Sequence, residues 1–178
     1  IQFADFTGDS FKLSQLASEQ VKKSGAKYVI FCGVHFMAET ADLLSDPDVA
    51  VILPDLGAGC SMADMADYDD TLDAWQQITE AIKGTQSRVI PICYMNSTAA
   101  IKALCGRNGG IVCTSSNAPA VFQWAFERGD KVLFIPDQHL GRNTGLKYGI
   151  GLEEMVVWNP FKTLGNLTPD RIKQTKAF

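Results

Sequence analysis

The 178-residue sequence contains no apolar run near the roughly 20 residues that a bilayer-spanning helix requires. Its longest, Tyr28–Val34 and Lys131–Pro136, are strand-sized, so no membrane partner is expected. Nor is there a basic block: charged residues make up 20% of the chain and the net charge is −4. That excludes a broadly positive nucleic-acid surface. An anionic ligand would have to be held by local dipoles and a few side chains. The five cysteines, Cys32, Cys60, Cys93, Cys105 and Cys113, form no CxxC pair and no spacing that reads as zinc or disulfide scaffolding. A reducing, cytoplasmic setting is therefore expected. Gly8-Asp-Ser10 has no Walker lysine, and no complete GxGxxG follows a strand, which leaves little support for nucleotide binding. An initiator Met is missing too. The chain opens on Ile1 and stops at Phe178, inside what Thr168-Pro169-Asp170 predicts to be a helix. Both ends read as cuts.

With 46% apolar residues, the chain can bury the core of one or two α/β units, since domains commonly run to about 100–150 residues. Short β-rich runs recur at Tyr28–Val34, Val49–Leu53, Arg88–Tyr94, Gly110–Cys113, Lys131–Ile135 and Met155–Trp158. Helix-like stretches lie between most of them: Ser10–Lys23, His35–Leu44, Asp69–Lys83, Thr98–Leu104 and Asn117–Arg128. The alternation predicts α/β architecture with parallel βαβ units. Gly25, Gly84 and Gly129 fall just past helical stretches, where a left-handed C′ residue is expected. Val51-Ile-Leu-Pro-Asp-Leu-Gly57 and Leu133-Phe-Ile-Pro-Asp-Gln-His-Leu-Gly141 match as a strand ending in Pro-Asp with a following glycine. This internal repeat divides the chain into two related α/β domains, 1–84 and 85–178.

In open parallel sheets, ligands bind beyond the carboxyl ends of strands, near helix N-termini. Gly8-Asp-Ser10, His35, Pro54–Cys60, Tyr94–Ser97, Thr114–Asn117 and Pro136–His139 all fall in such places. Singly, each has an ordinary use as a helix cap or turn; their clustering at one kind of position favours function. Cys60 stands apart in Leu56-Gly-Ala-Gly-Cys-Ser-Met-Ala-Asp64, a glycine-rich loop entering a short helical stretch. Such a place favours thiolate, but a packing role remains open. Cys32, Cys93 and Cys113 read as small packing hydrophobes at strands, and Trp75, Trp124 and Trp158 as packing residues.

At these same positions the sequence resembles quinolinate synthase. The motifs Ala4-Asp-Phe-Thr-Gly-Asp-Ser10, Phe31-Cys-Gly-Val-His-Phe-Met-Ala-Glu39, Leu53-Pro-Asp55 with Gly59-Cys-Ser-Met-Ala63, Tyr94-Met-Asn-Ser97, Cys113-Thr-Ser-Ser-Asn117 and Pro136-Asp-Gln-His-Leu-Gly141 run in that family's order. The resemblance implies repeated three-layer αβα units with parallel sheets, three of them around a pseudo-threefold axis, each giving one cysteine to a 4Fe-4S cluster. It implies a transferase of pyridine-nucleotide (NAD) biosynthesis that condenses iminoaspartate, supplied by L-aspartate oxidase, with dihydroxyacetone phosphate. The cluster's open iron would act as Lewis acid.

Carried over residue by residue, the resemblance makes Cys60 a cluster ligand and Ser10 and Ser115 ligands of substrate carboxylate. Tyr94, Met95 and Asn96 become the segment that holds iminoaspartate, with Tyr94 a candidate for proton transfer. A His–Tyr strand before Ile1 and two more cluster cysteines, with a His and a Glu, after Phe178 are expected, so this piece alone should be inactive. Two other readings compete. One is a non-catalytic flavodoxin-like or Rossmann-like module for a phosphate-bearing ligand. The other is a thiol enzyme pairing Cys60 with His35 or His139.

Overall fold

The computed structural model describes residues 2–178. By internal packing the chain forms two compact units, Ile1–Asp64 and Met65–Phe178.

In the first unit, α1 (Ser10–Ser24) leads to β1 (Tyr28–Ile30), then α2 (His35–Leu44) to β2 (Ala50–Ile52). Asp9 starts α1 by accepting the Lys12 N–H at 3.0 Å, and Gly25 ends it at φ 72°. β1 and β2 pair in parallel, Tyr28 opposite Ala50 and Ile30 opposite Ile52. Strand alternation sends Val29 and Val51 to one face, where they pack with Phe31, Ala38 and Ala41. The two helices are joined by the Ser14 hydroxyl, which donates to the Met37 carbonyl at 3.0 Å, and by that of Ser18 on the Leu44 carbonyl. Tyr28, Ile30 and Ile52 point to the other face and are exposed.

The second unit contains α3 (Tyr68–Ala81), β3 (Val89–Tyr94), α4 (Ala99–Arg107), β4 (Ile111–Cys113), α5 (Ala118–Phe126), β5 (Lys131–Ile135), α6 (Gln138–Tyr148) and α7 (Pro169–Gln174). Its parallel sheet has the order β4-β3-β5. Alternation again sorts the core. Ile90, Ile92, Val132 and Phe134 meet Val121, Phe122 and Ala125 on one face. Val89, Cys93, Leu133 and Ile135 meet Ile78, Ile101, Cys105 and Ile172 on the other. Helices therefore cover both faces, giving the expected three layers. Each fully buried isoleucine here stabilises the fold by about 1.5–3 kcal/mol. Because α3 shares a core with α4 and α7, compactness divides the chain after Asp64, whereas the repeat in the sequence divides it at 84.

Four expectations are corrected. The chain does not stop within a helix: α7 ends at Gln174, and residues 176–178 run beside β5, with Val132 N–H donating to Lys176 O at 2.8 Å and Phe134 N–H to Phe178 O at 3.0 Å. The run Met155–Trp158 is not a strand; only Met155 forms a bridge, to Ala177. Gly84 is left-handed, at φ 80°, but Gly129 is not; there a Cβ would meet the Arg88 carbonyl at 2.6 Å, so close approach explains the glycine. Cys32 is not packed, because β1 ends at Ile30 and leaves it exposed.

The helix α6 was not among those expected from the sequence. Gly141 and Gly145 weaken its intrinsic preference, yet both face the core. A Cβ at Gly141 would lie 2.8 Å from the Phe134 ring and one at Gly145 2.7 Å from the Met155 sulfur. Asp137 starts the helix by accepting the N–H groups of His139 and Leu140 at 2.8 and 3.2 Å.

Candidate functional site

In the second unit, the carboxyl ends of β3 and β4 lie side by side. Tyr94 is in register with Cys113, and the Met95 N–H donates to the Cys113 carbonyl at 2.8 Å. The turn after β3, residues 94–97, is thereby held against the turn after β4, residues 114–117. Sequence reasoning marked both, and the fold brings Tyr94, Met95 and Asn96 next to the loop that carries Ser115.

The turn after β3 is built from inside. Ser97 is fully buried. Its hydroxyl donates to the Tyr94 carbonyl at 2.9 Å and lies 2.9 Å from the Cys93 sulfur, while its N–H donates to the Met95 carbonyl at 2.9 Å. From the helix that follows, Lys102 Nζ donates to the Ser97 carbonyl at 2.6 Å. Met95 is buried as an anchor, with Tyr94 and Asn96 half-buried on either side of it. The turn after β4 is knitted differently. Asn117 does not cap α5 with its side chain; its Oδ1 accepts the Thr114 N–H at 2.7 Å, and the Thr114 and Ser116 hydroxyls are 2.9 Å apart. None of these bonds uses the exposed Ser115 hydroxyl.

In the first unit, Cys60 is half-buried at the end of a loop that β2 delivers through Pro54-Asp55. Asp55 Oδ1 accepts the Gly57 N–H at 2.8 Å, the same device by which Asp137 starts α6, so the two Pro-Asp repeats act alike. The Ala58 carbonyl accepts the His35 N–H at 2.8 Å, tying the loop to the start of α2, and the Cys60 carbonyl accepts the Asp64 N–H at 3.0 Å. His35 Nδ1 is 3.9 Å from Glu39. Ser10 begins α1 and is half-buried, but Asp9 supplies the cap, so the Ser10 hydroxyl is not needed for it. His139 is exposed at the start of α6.

Cys93, Cys105 and Cys113 are buried packing residues. Burial pushes the Cys93 thiol up, against the pull of the Ser97 hydroxyl and the Lys102 charge. Burial also pushes Cys105 and Cys113 up to about 12. Thiols held protonated in this way are poor nucleophiles and poor metal ligands. Trp75 and Trp158 pack on one core of the second unit and Trp124 on the other, with the Arg128 guanidinium 4.4 Å above the Trp124 ring. A cleft of about 150 Å³ at the end of β5, lined in part by Leu133, Arg142 and Trp158, takes in Pro136 and Gln138 of the Pro136–His139 strand end but none of Ser10, Cys60, Tyr94, Met95, Asn96 or Ser115.

A family model described as quinolinate synthetase A protein matches residues 1–177. The chain belongs to the quinolinate synthetase A family. It is 56% identical over 177 residues to a quinolinate synthase of Acidobacterium capsulatum, 57% identical over 177 residues to one of Corynebacterium glutamicum and 55% identical over 175 residues to one of Geobacillus thermodenitrificans. These alignments cover 99%, 99% and 97% of this chain, but 46%, 44% and 46% of the relatives. The chain thus spans somewhat less than half the length of these quinolinate synthases. No helix among the described residues is long and apolar enough to cross a membrane.

The cluster that the family resemblance implies is compatible with part of what is present. A half-buried thiol at the end of a glycine-rich loop suits one corner of such a group. Among the described residues, no three His, Cys, Asp or Glu side chains are grouped to hold a metal. Cys60 fits as one ligand, and the set is not completed within these residues.

Ser97 is legible in the sequence only as part of the Tyr94–Ser97 strand-end motif, and Lys102 is not legible there as a site residue. The available signal was a lysine four residues after the Thr98 cap, within reach of the preceding turn along the helix surface.

Proposed function

We propose that this chain is the part of a quinolinate synthase that contributes Cys60 to a 4Fe-4S cluster and the β3 and β4 turns to the substrate site. The reaction is condensation of iminoaspartate with dihydroxyacetone phosphate to quinolinate, with release of phosphate and water, in NAD biosynthesis. L-Aspartate oxidase is the proposed source of iminoaspartate, and the setting is cytoplasmic. One observation chiefly supports the reading: the 2.8 Å bond from Met95 N–H to Cys113 O sets the Tyr94–Asn96 segment beside the Ser115 loop.

Each residue type suits a dicarboxylate. In the second unit the Ser115 hydroxyl and the Asn96 amide are of the kind that donates to carboxylate oxygens, as is the Ser10 hydroxyl in the first, and such donors stabilise anions without a basic patch. Buried Met95 anchors the segment so that its neighbours are presented in a fixed geometry. The Tyr94 phenol is assigned proton donation as the substrates condense. When bound, the cluster supplies Lewis-acid polarisation of a substrate oxygen. Its other thiolates are assigned to the part of the relatives' length that this chain does not span.

The test is made in the full-length protein. Cys60→Ser is expected to lose iron, sulfide and quinolinate formation, while Cys32→Ser keeps all three, because Cys32 is exposed and lies outside the glycine-rich loop. Full cluster occupancy in Cys60→Ser would overturn the ligand assignment. A wild-type protein that makes no quinolinate from the two substrates would overturn the function.

A further inference from the structure

The turn that carries Tyr94 and Asn96 is held by one cation, and no motif in the sequence marks it. Lys102 sits in α4, and its side chain reaches back over the start of that helix to donate to the Ser97 carbonyl at 2.6 Å. Ordering a lysine side chain costs about 1.5–2 kcal/mol of rotamer entropy, and a half-buried ammonium loses part of its hydration. Starting the helix does not require this, because Thr98 Oγ1 already accepts the Ile101 N–H. The bond acts on the turn instead. Ser97 is the inner residue of that turn, bonded to Tyr94 and touching Cys93. Fixing its carbonyl therefore fixes the backbone on which Tyr94, Met95 and Asn96 are displayed.

Charge points the same way. From residue 94 to residue 117, across both turns and the helix between them, the basic residues are Lys102 and Arg107. Arg107 stands in the last turn of α4, away from the strand ends. In a chain of net charge −4, Lys102 places a full positive charge against the turn after β3. A neutral donor would tether Ser97 equally well, so an ammonium at that position adds something a tether alone does not need.

We propose that Lys102 is a positioning residue of the substrate site, which holds the Tyr94–Ser97 turn through the Ser97 carbonyl and supplies the positive charge that favours a dicarboxylate there. This rests on the function proposed above. Lys102 acts through the turn and through its field, not by contact with reacting atoms.

The experiment uses the full-length holoenzyme and the variants K102M, K102Q and K102R. Quinolinate, itself a dicarboxylate, is the binding probe, followed by calorimetry. The KM for iminoaspartate generated in the assay and kcat are measured in parallel. K102M, which keeps length but loses tether and charge, is expected to weaken quinolinate binding and raise KM by about tenfold or more, the range of a charge-assisted hydrogen bond, with a much smaller change in kcat. K102R, which keeps the charge, should stay within about threefold of wild type. K102Q keeps a donor for Ser97 without the charge and should fall between K102M and K102R. Wild-type affinity in K102M, or in K102Q should K102M not fold, overturns the inference. So does a K102R variant as weak as K102M, which would make side-chain shape the cause. Either result in an enzyme whose wild type makes quinolinate leaves the function standing. A wild type that makes none removes both.

Discussion

Replacing Ser97 with alanine removes a single oxygen from a side chain with no exposed surface. Two contacts go with it, the donation to the Tyr94 carbonyl and the approach to the Cys93 sulfur, both at 2.9 Å. A neutral hydrogen bond contributes about 0.5–1.5 kcal/mol net, but a buried partner deprived of its mate costs about 1–3 kcal/mol. Packing loss is small, since the volume removed is one atom. About 2 kcal/mol of destabilisation is therefore expected. With a urea slope of about 2 kcal/mol per molar, the unfolding midpoint should fall by about 1 M. Fluorescence is a suitable probe because Trp75, Trp124 and Trp158 all belong to the same compact unit as Ser97. A midpoint shift below about 0.2 M, under half a kcal/mol by the same slope, would refute the reasoning. It would mean that the hydroxyl neither satisfies Tyr94 nor braces the turn.

Two further substitutions probe the second unit. Gly141→Ala places a Cβ 2.8 Å from the Phe134 ring, so the overpacking cost of about 1–3 kcal/mol should outweigh a helix-propensity gain of about 1 kcal/mol. Gly106→Ala in α4, where a Cβ meets nothing within 4 Å, should stabilise by about 0.5–1 kcal/mol; paired denaturation curves must shift in opposite directions. Asp130 ties the starts of β3 and β5 together, accepting the Arg88 N–H at 2.6 Å and the Ser87 hydroxyl at 2.7 Å. Burial would raise its carboxyl, but those bonds hold it below the ordinary value of 3.8. A depressed folded pKa means stability that is present above 3.8 and lost as pH falls through the folded value. Asp130→Asn should therefore be less stable than wild type at neutral pH, and the gap should close only below about pH 4; a gap independent of pH would remove the charge from the explanation.

Most of the architecture was legible from the sequence because its strands alternate cleanly with amphipathic helices. β5 and α2 fall on the expected residues, and the other matched elements differ by a few residues at their ends. What was missed depends on tertiary contacts. The glycines of α6 argue against a helix until Phe134 and Met155 are seen to occupy the space where their side chains would be. Residues 176–178 gain extended structure from β5, which a local pattern cannot foresee. The residues resembling substrate ligands could be read from motifs at strand ends. Ser97 and Lys102 could not, since a buried serine and a half-buried lysine look like any cap and any surface charge until their bonds are known.

The bare face of the β1-β2 sheet sets an order of opening within the protein. With three residues in each strand and one face against solvent, that ladder has few buried contacts to lose, whereas β3 and β5 are covered on both sides. Local opening follows the density of buried contact. Backbone amides of Val29 and Val51 should therefore exchange with solvent deuterium well before those of Ile92 and Leu133. Tyr28 is 71% exposed, Ile30 70% and Ile52 45% on that face. The loop that carries Cys60 is delivered by β2, so it rides on the less protected of the two sheets.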